Sequence, residues 1–313
     1  MIKHLLVSVL TAISMLVHAQ QETRIVVPYS PGGGNDTIAR LLAKNIATTE
    51  HPVIVENRPG AGTTIGTGHV AKSTPDGRTL LLSSVAVLAL STHFMADPPY
   101  DYKTDLIPVA YVGTVLPMVV AVNSASGIQE VKQLIERART KPLNYGSPGA
   151  GNAQHVFSAM LSQITSTNMT HIPYKGQPLA TQDLLSGQLD FMTAVPQAVL
   201  PHVQSGKLKA IAVVADQPYR ELPGVPTLRS LGYPQFAGRD QWFGVWAPAG
   251  TPPEVVQRLR RDIHSLMAGE FKQELVRAFI IDPNSTPPVD LARDQNRIAN
   301  SYLQLFRDYN IKQ

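Results

Sequence analysis

Two segments of this sequence share a grammar that few folds can accommodate. Pro28–Asp36 (PYSPGGGND) and Asn144–Asn152 (NYGSPGAGN) each follow a short strand-like run and precede a stretch with helical spacing. Glycines allow a backbone to come close to a ligand, and the first turn of a helix leaves N–H groups without internal partners. Those donors and the helix dipole together favour an anion. Each loop alone is also what an ordinary capped turn requires. The pairing carries more information: in open α/β sheets, ligands bind outside the carboxyl ends of the strands. Two such units facing each other would form a cleft with an anion site on each wall.

The surrounding pattern supports two units. Arg24–Pro28, Val53–Glu56 and Thr79–Ser83 read as buried strands, with helices over Thr37–Ile46 and Gly66–Lys72 between them. A second set follows: helices over Val131–Arg139, Ala153–Gln163 and Pro178–Ser186, and strands ending at Tyr145, Pro173, Ala194 and Ala215. Leu116–Asn123 and Trp242–Pro248 are extended apolar runs that read as the crossings between the units. The predicted fold class is therefore α/β, two-lobed, with two α/β domains joined by two crossing strands. Lobe 1 comprises 20–122 and 243–313, and lobe 2 comprises 123–242. The helices Pro253–Met267 and Asp290–Tyr309 are expected to pack back on lobe 1.

The first 19 residues read as an address. Lys3 and His4 start the chain, Leu5–Val17 is almost wholly apolar, and Val17-His18-Ala19 presents small residues for cleavage after Ala19. Thirteen apolar residues at about 1.5 Å each fall short of a hydrocarbon core of about 30 Å, so a secretory signal is expected, not an anchor. The sequence has no cysteine, which argues against a lipoprotein, disulfides and thiolate metal sites and fits a bacterial periplasm. The net charge of +4 is small and scattered, with no basic stripe, so nucleic acid is not the expected partner.

The enzymatic motifs fail one by one. Gly206-Lys207 is followed by Leu208, so there is no phosphate-binding loop; no serine has glycines two residues to either side; and no histidine pair has metalloprotease spacing. Gly66-Thr67-Gly68-His69-Val70-Ala71 formally fits a dinucleotide fingerprint, but it falls inside a helical stretch instead of at a strand-to-helix turn. Asn57–Thr64 is a third glycine-rich loop that either lines the cleft or turns the chain. His155 lies one turn beyond the second loop, within reach of a ligand or of a structural partner. Lys175 faces either an anion or water, and Trp242, Phe243 and Trp246 read as core or hinge packing. No catalysis, cofactor or metal is expected.

At this point eight segments in order become specific: VVPYSPGGGND at 26–36, VENRPGAG at 55–62, PDGRTLLL at 75–82 and LNYGSPGAGN at 143–152. HIPYKG at 171–176, DLLSGQLD at 183–190, LPGVPT at 222–227 and WFGVWAPAGTP at 242–252 complete the set. With these the chain resembles the Bug-type, or TctC-like, substrate-binding proteins of tripartite tricarboxylate transporters. The resemblance implies a fold like the type II periplasmic binding proteins, a ligand gripped between lobes that close by hinge motion, and no catalysis. It implies a monomer that delivers an organic acid to a large and a small integral membrane subunit.

Carried over residue by residue, the resemblance implies a site built from three loops. These are Tyr29, Ser30, Pro31, Gly32, Gly33, Asn35 and Asp36; then Ser83, Ser84 and Val85; then Ser147, Gly149, Ala150, Gly151 and Asn152. Tyr174, Thr193 and His155 join them. The chain departs from the family pattern at Ala194, where an acidic residue is common, which points away from amino-acid ligands. SSVAVLALST at 83–92 is more apolar than usual, which would admit an apolar or aromatic ligand body, and Asn152-Ala153 replaces a hydroxyl pair. Two other roles stay open: an orphan binder that presents its ligand to a sensor protein, and an exported enzyme whose acid–base pair only the fold would assemble.

Overall fold

The computed structural model describes residues 22–311 apart from 50, 94, 96 and 238–240. The signal peptide read at 1–19 lies outside the described residues. In chain order, β1 (Thr23–Val27), α1 (Gly34–Ile46), β2 (Val53–Asn57), α2 (Thr64–Ala71), β3 (Thr79–Ser84), α3 (Val85–Leu90) and β4 (Leu106–Thr114) come first. Then follow β5 (Met118–Asn123), α4 (Val131–Thr140), β6 (Leu143–Ser147), α5 (Ala153–Ile164), β7 (Met169–Pro173), α6 (Gln177–Ser186), β8 (Phe191–Ala194), α7 (Pro196–Gln204) and β9 (Leu208–Val214). The chain returns through β10 (Trp242–Pro248) and ends in α8 (Pro253–Leu266), α9 (Glu270–Arg277) and α10 (Leu291–Asp308).

The strands form two five-stranded sheets with matching topology, β2-β1-β3-β10-β4 and β7-β6-β8-β5-β9. In each, three parallel strands are closed by antiparallel ones. The whole of β5 pairs in the second sheet, so the chain steps between sheets at 115–117, ahead of the strand read as a crossing. The return step likewise precedes β10. The two steps are tied together: the Val115 N–H donates to the Gln241 carbonyl at 2.8 Å.

Each sheet buries both faces, and the alternation shows how. Ile25, Val27, Leu80, Leu82 and Val245 point to one side, against Ile38 and Leu42 of α1 and Leu259 and Ile263 of α8. Val26, Leu81 and Trp246 point to the other, toward α3 and α10. In the second sheet Val120 and Val122 face α4 and α5, while Val119 and Ala121 face α6 and α7. The period-2 pattern thus sorts each strand between two helix layers. α8 packs on β4. α10 does more than expected: it covers α3 and β4 and also meets α5 of the other unit, where Tyr302 and Phe157 rings lie 5.9 Å apart.

One local reading is corrected. The segment after β3 is a helix, α3, whose six residues are all buried, so Val85 opens a helix and is not part of a loop.

Candidate functional site

The first wall of the cleft is the turn from β1 into α1. Gly32 sits at φ +89°, in the left-handed region that favours glycine, and its N–H donates to Asp36 Oδ2 at 2.9 Å. Arg40 Nε also donates to Asp36 Oδ2 at 2.9 Å, and Asn57 Nδ2 reaches Asp36 Oδ1 at 2.9 Å and the Tyr29 carbonyl at 3.1 Å. Burial pushes the Asp36 carboxyl up, but the bonds from Arg40, Gly32 and Asn57 outweigh it and hold the group below its ordinary range. Asp36 is therefore the brace of this loop. The N-cap is Gly33, with no side-chain bond, so neither Asn35 nor Asp36 caps the helix. The leading N–H groups of α1, from Gly34 and Asn35, are left for something outside the helix.

The opposite wall is the turn from β6 into α5. Here Asn152 is the cap: its Oδ1 accepts from the His155 N–H at 3.0 Å, and its Nδ2 donates to the Gly149 carbonyl. The Ser147 hydroxyl donates to the Gly149 carbonyl at 2.8 Å, which makes His171 Nε2, 2.7 Å away, the donor to Ser147 Oγ. His155 stacks on His171 with centroids 3.9 Å apart, and its Nδ1 accepts from the Gly151 N–H at 3.2 Å. Ser147 is fully buried with its proton engaged, so the Ser147–His171 pair props the loop instead of presenting a nucleophile. Gly151, at φ +78°, lies so close to the first sheet's side that a Cβ there would sit 2.7 Å from the Leu90 carbonyl oxygen.

Between the walls lies a cavity of ≈ 60 Å³. Tyr29, Ser30, Gly33, Gly34, Asn35, Ser84, Val87, Phe243 and Ile280 line one side, and Pro148, Asn152, Ala153, Gln154, Gln177, Val195 and Gln197 the other. Val115, Met118 and Gln241 close it at the crossings. The N-termini of α1 and α5 thus converge on one space, each equivalent to roughly half a positive charge. Among the described lining residues none is ionised at neutral pH, so backbone N–H groups, amides and the hydroxyls of Tyr29, Ser30 and Ser84 supply the polarity.

Of the residues singled out in the sequence, Tyr29, Ser30, Gly33, Asn35, Ser84 and Asn152 line this cavity. Pro31, Gly32 and Asp36 lie in the supporting turn behind it. Ser147, Gly151 and His155 scaffold the second loop, while Gly149 and Ala150 line a separate surface groove with Tyr174. The Tyr174 hydroxyl donates to Asp183 Oδ2 at 2.6 Å, and burial and that carboxylate push it up to about 12. Thr193 Oγ1 accepts from the Ser158 hydroxyl at 2.9 Å, both buried, and Ser83 is wholly buried. The sequence reading missed Gln154, Gln177, Gln197 and Gln241. Gln154 lies two residues beyond the second loop and Gln177 directly follows the HIPYKG segment, so proximity to motifs could have found these two. Gln241 directly precedes the WFGVWAPAGTP segment and carries the same signal, whereas Gln197 carries none.

Comparisons with known proteins agree with this architecture. The family described as "Tripartite tricarboxylate transporter family receptor", TctC, matches residues 38–301. Protein BugT of Bordetella pertussis is 36% identical over 278 residues, which cover 88% of this chain and 83% of that protein. The structure of Rpa4515 of R. palustris with adipate superposes with a TM-score of 0.85 at 26% identity, covering 93% of this chain and 97% of the other. That of MatC (Rpa3494) from Rhodopseudomonas palustris with bound malate gives 0.82 at 26%, covering 91% and 98%.

Proposed function

Because this chain belongs to the tripartite tricarboxylate transporter receptor family, whose members are periplasmic solute-binding proteins, we propose that it captures a small carboxylate in the interlobe cavity and passes it to a membrane permease. The observation that carries this reading is the convergence of the α1 and α5 N-termini, from opposite walls, on one cavity. A carboxylate placed there accepts from backbone N–H groups on both sides, directly or through water, and meets the positive ends of two dipoles. Only the form with both walls in contact offers all of these donors, so the ligand shifts the hinge equilibrium toward it. Adipate and malate in the relatives' structures support the carboxylate class. The family supports delivery to a large and a small integral membrane subunit, and export through the leader at 1–19 goes with that role.

The test is a thermal-shift screen of the refolded mature protein against carboxylates, amino acids, sugars and phosphates. A ligand at 100–1,000 times its dissociation constant adds about 3–4 kcal/mol, enough to raise the Tm by several degrees. A shift confined to carboxylates is the expected result. A shift given only by sugars or phosphates refutes the reading.

A further inference from the structure

Beyond the helix ends the cavity is lined by the hydroxyl residues Tyr29, Ser30 and Ser84 and by several glutamines. Gln154, Gln177 and Gln241 come from α5, α6 and the return crossing, and all three are more than nine-tenths buried, at 7%, 7% and 5% exposure. In each, the side-chain oxygen Oε1 is buried without a hydrogen-bond partner. An unpaired buried amide oxygen is costly, and these three, with Asn35 Oδ1 as a fourth, around one space are a cost that packing alone does not require. Gln177 shows a fixed orientation: its Nε2 donates to Thr181 Oγ1 at 3.1 Å, one turn along α6, which leaves Oε1 free. Val87, Met118 and Phe243 fill in between the amides.

An amide oxygen accepts a hydrogen bond but carries no charge, so three of them ask for a donor and offer little compensation to a buried ammonium. Gln177, whose N–H is already spent on Thr181, offers oxygen and not N–H to a second carboxylate. We propose that the ligand of this cleft is a short carboxylic acid whose far end is an uncharged hydrogen-bond donor, an alcohol or a primary amide, received by Gln154, Gln177 and Gln241. This rests on the carboxylate reading above and narrows it: the carboxylate goes to the helix N-termini, and the neutral donor goes to the glutamines.

Calorimetric titration with acids of matched length tests the assignment: butyrate, 4-hydroxybutyrate, succinamate, succinate and 4-aminobutyrate. 4-Hydroxybutyrate or succinamate is expected to bind about 10-fold tighter than butyrate, succinate and 4-aminobutyrate, the gain of one to two well-made neutral hydrogen bonds. Gln241→Leu and Gln177→Leu are each expected to shrink the ratio of succinamate to butyrate affinity several-fold. The parent protein's ratios decide the matter even where a variant fails to fold. Succinate or 4-aminobutyrate binding as tightly as succinamate overturns the inference and leaves the carboxylate reading in place, and so does butyrate matching succinamate. Binding of none of the five acids, with the thermal screen also silent for carboxylates, overturns both.

Discussion

Ser30 holds the Lys175 carbonyl with two donors at once, its backbone N–H at 3.1 Å and its hydroxyl at 2.8 Å. The two residues are 145 positions apart and sit on opposite sides of the cleft, Ser30 in the turn after β1 and Lys175 in the turn after β7. Gly176 permits the approach: a Cβ there would lie 3.0 Å from the Ser30 Cβ. The contact ties the two walls together, and on the closure reading proposed above its free energy belongs to the hinge equilibrium and not to the fold of either unit.

Ser30→Ala removes one of the two donors and keeps the other. A neutral hydrogen bond contributes about 0.5–1.5 kcal/mol net, so the dissociation constant of the natural ligand should rise about 2- to 12-fold. The loss should appear mainly in the off-rate, measurable by stopped-flow fluorescence, with the Tm of the free protein nearly unchanged. An unaltered off-rate would show that the latch contributes nothing to closure.

Gly33 separates stability from binding. It caps α1 with φ −87°, and a Cβ there meets nothing within 4 Å, so both Gly33→Ala and Gly33→Asp fit the backbone. Aspartate is a better N-cap than glycine by a few tenths of a kcal/mol, so the Tm of Gly33→Asp should hold or rise. The same carboxylate occupies the positive end of α1 and repels an anion beside it, so affinity should fall at least about 10-fold, a loss of about 1.4 kcal/mol. Gly33→Ala should bind within about 3-fold of the parent. Tight binding by the aspartate variant in calorimetry would move the anion site away from α1.

Much of this was legible in the sequence because the relevant chemistry is local. Gly32 and Gly151 mark left-handed turns, Asn152 marks a helix start, and the apolar runs mark buried strands. α3 was not legible, since its six residues are all apolar and carry no periodicity. α7 was hidden by Pro201 within it. Asp36 and His155 look like ligand groups in a linear reading but are spent on holding the two loops. The glutamines were missed for a different reason. Gln154, Gln177 and Gln241 each sit beside a motif, but they lie in three separate segments, and no local pattern encodes their meeting in one cavity.

The stacked histidines make stability depend on acid. Burial, and then the neighbouring His155, lower His171 from its ordinary value to about 3. In the unfolded chain the same group protonates near 6.5, so below that pH the unfolded state binds the extra proton. Stability is therefore complete above about pH 6.5 and is lost progressively as the pH falls toward 3. Denaturant midpoints measured from pH 7.5 to 4.5 should decline for the parent, and the decline should be shallower for His171→Gln. Parallel pH profiles would assign the acid sensitivity to other groups.

Two indole bonds four residues apart on β10 should respond differently to loss of their acceptors. Trp246 is wholly buried and its Nε1–H donates to Gln295 Oε1 at 2.6 Å, with Gln295 itself 3% exposed. Trp242 donates to Asp294 Oδ2 at 2.9 Å, but the Asp294 side chain is 17% exposed and also pairs with Arg297. Gln295→Leu keeps most of the volume and strands a buried N–H where water does not reach, which costs about 1–3 kcal/mol. At the site of Asp294→Ala, water can take over the donor, so the loss should stay near the net value of one bond, about 1 kcal/mol. The urea midpoint should therefore fall further for Gln295→Leu than for Asp294→Ala, with the same slope in both. Neither acceptor lines the cavity, so ligand affinity should be unchanged in each. Equal midpoints would mean that the Trp246 N–H finds another acceptor once Gln295 is gone.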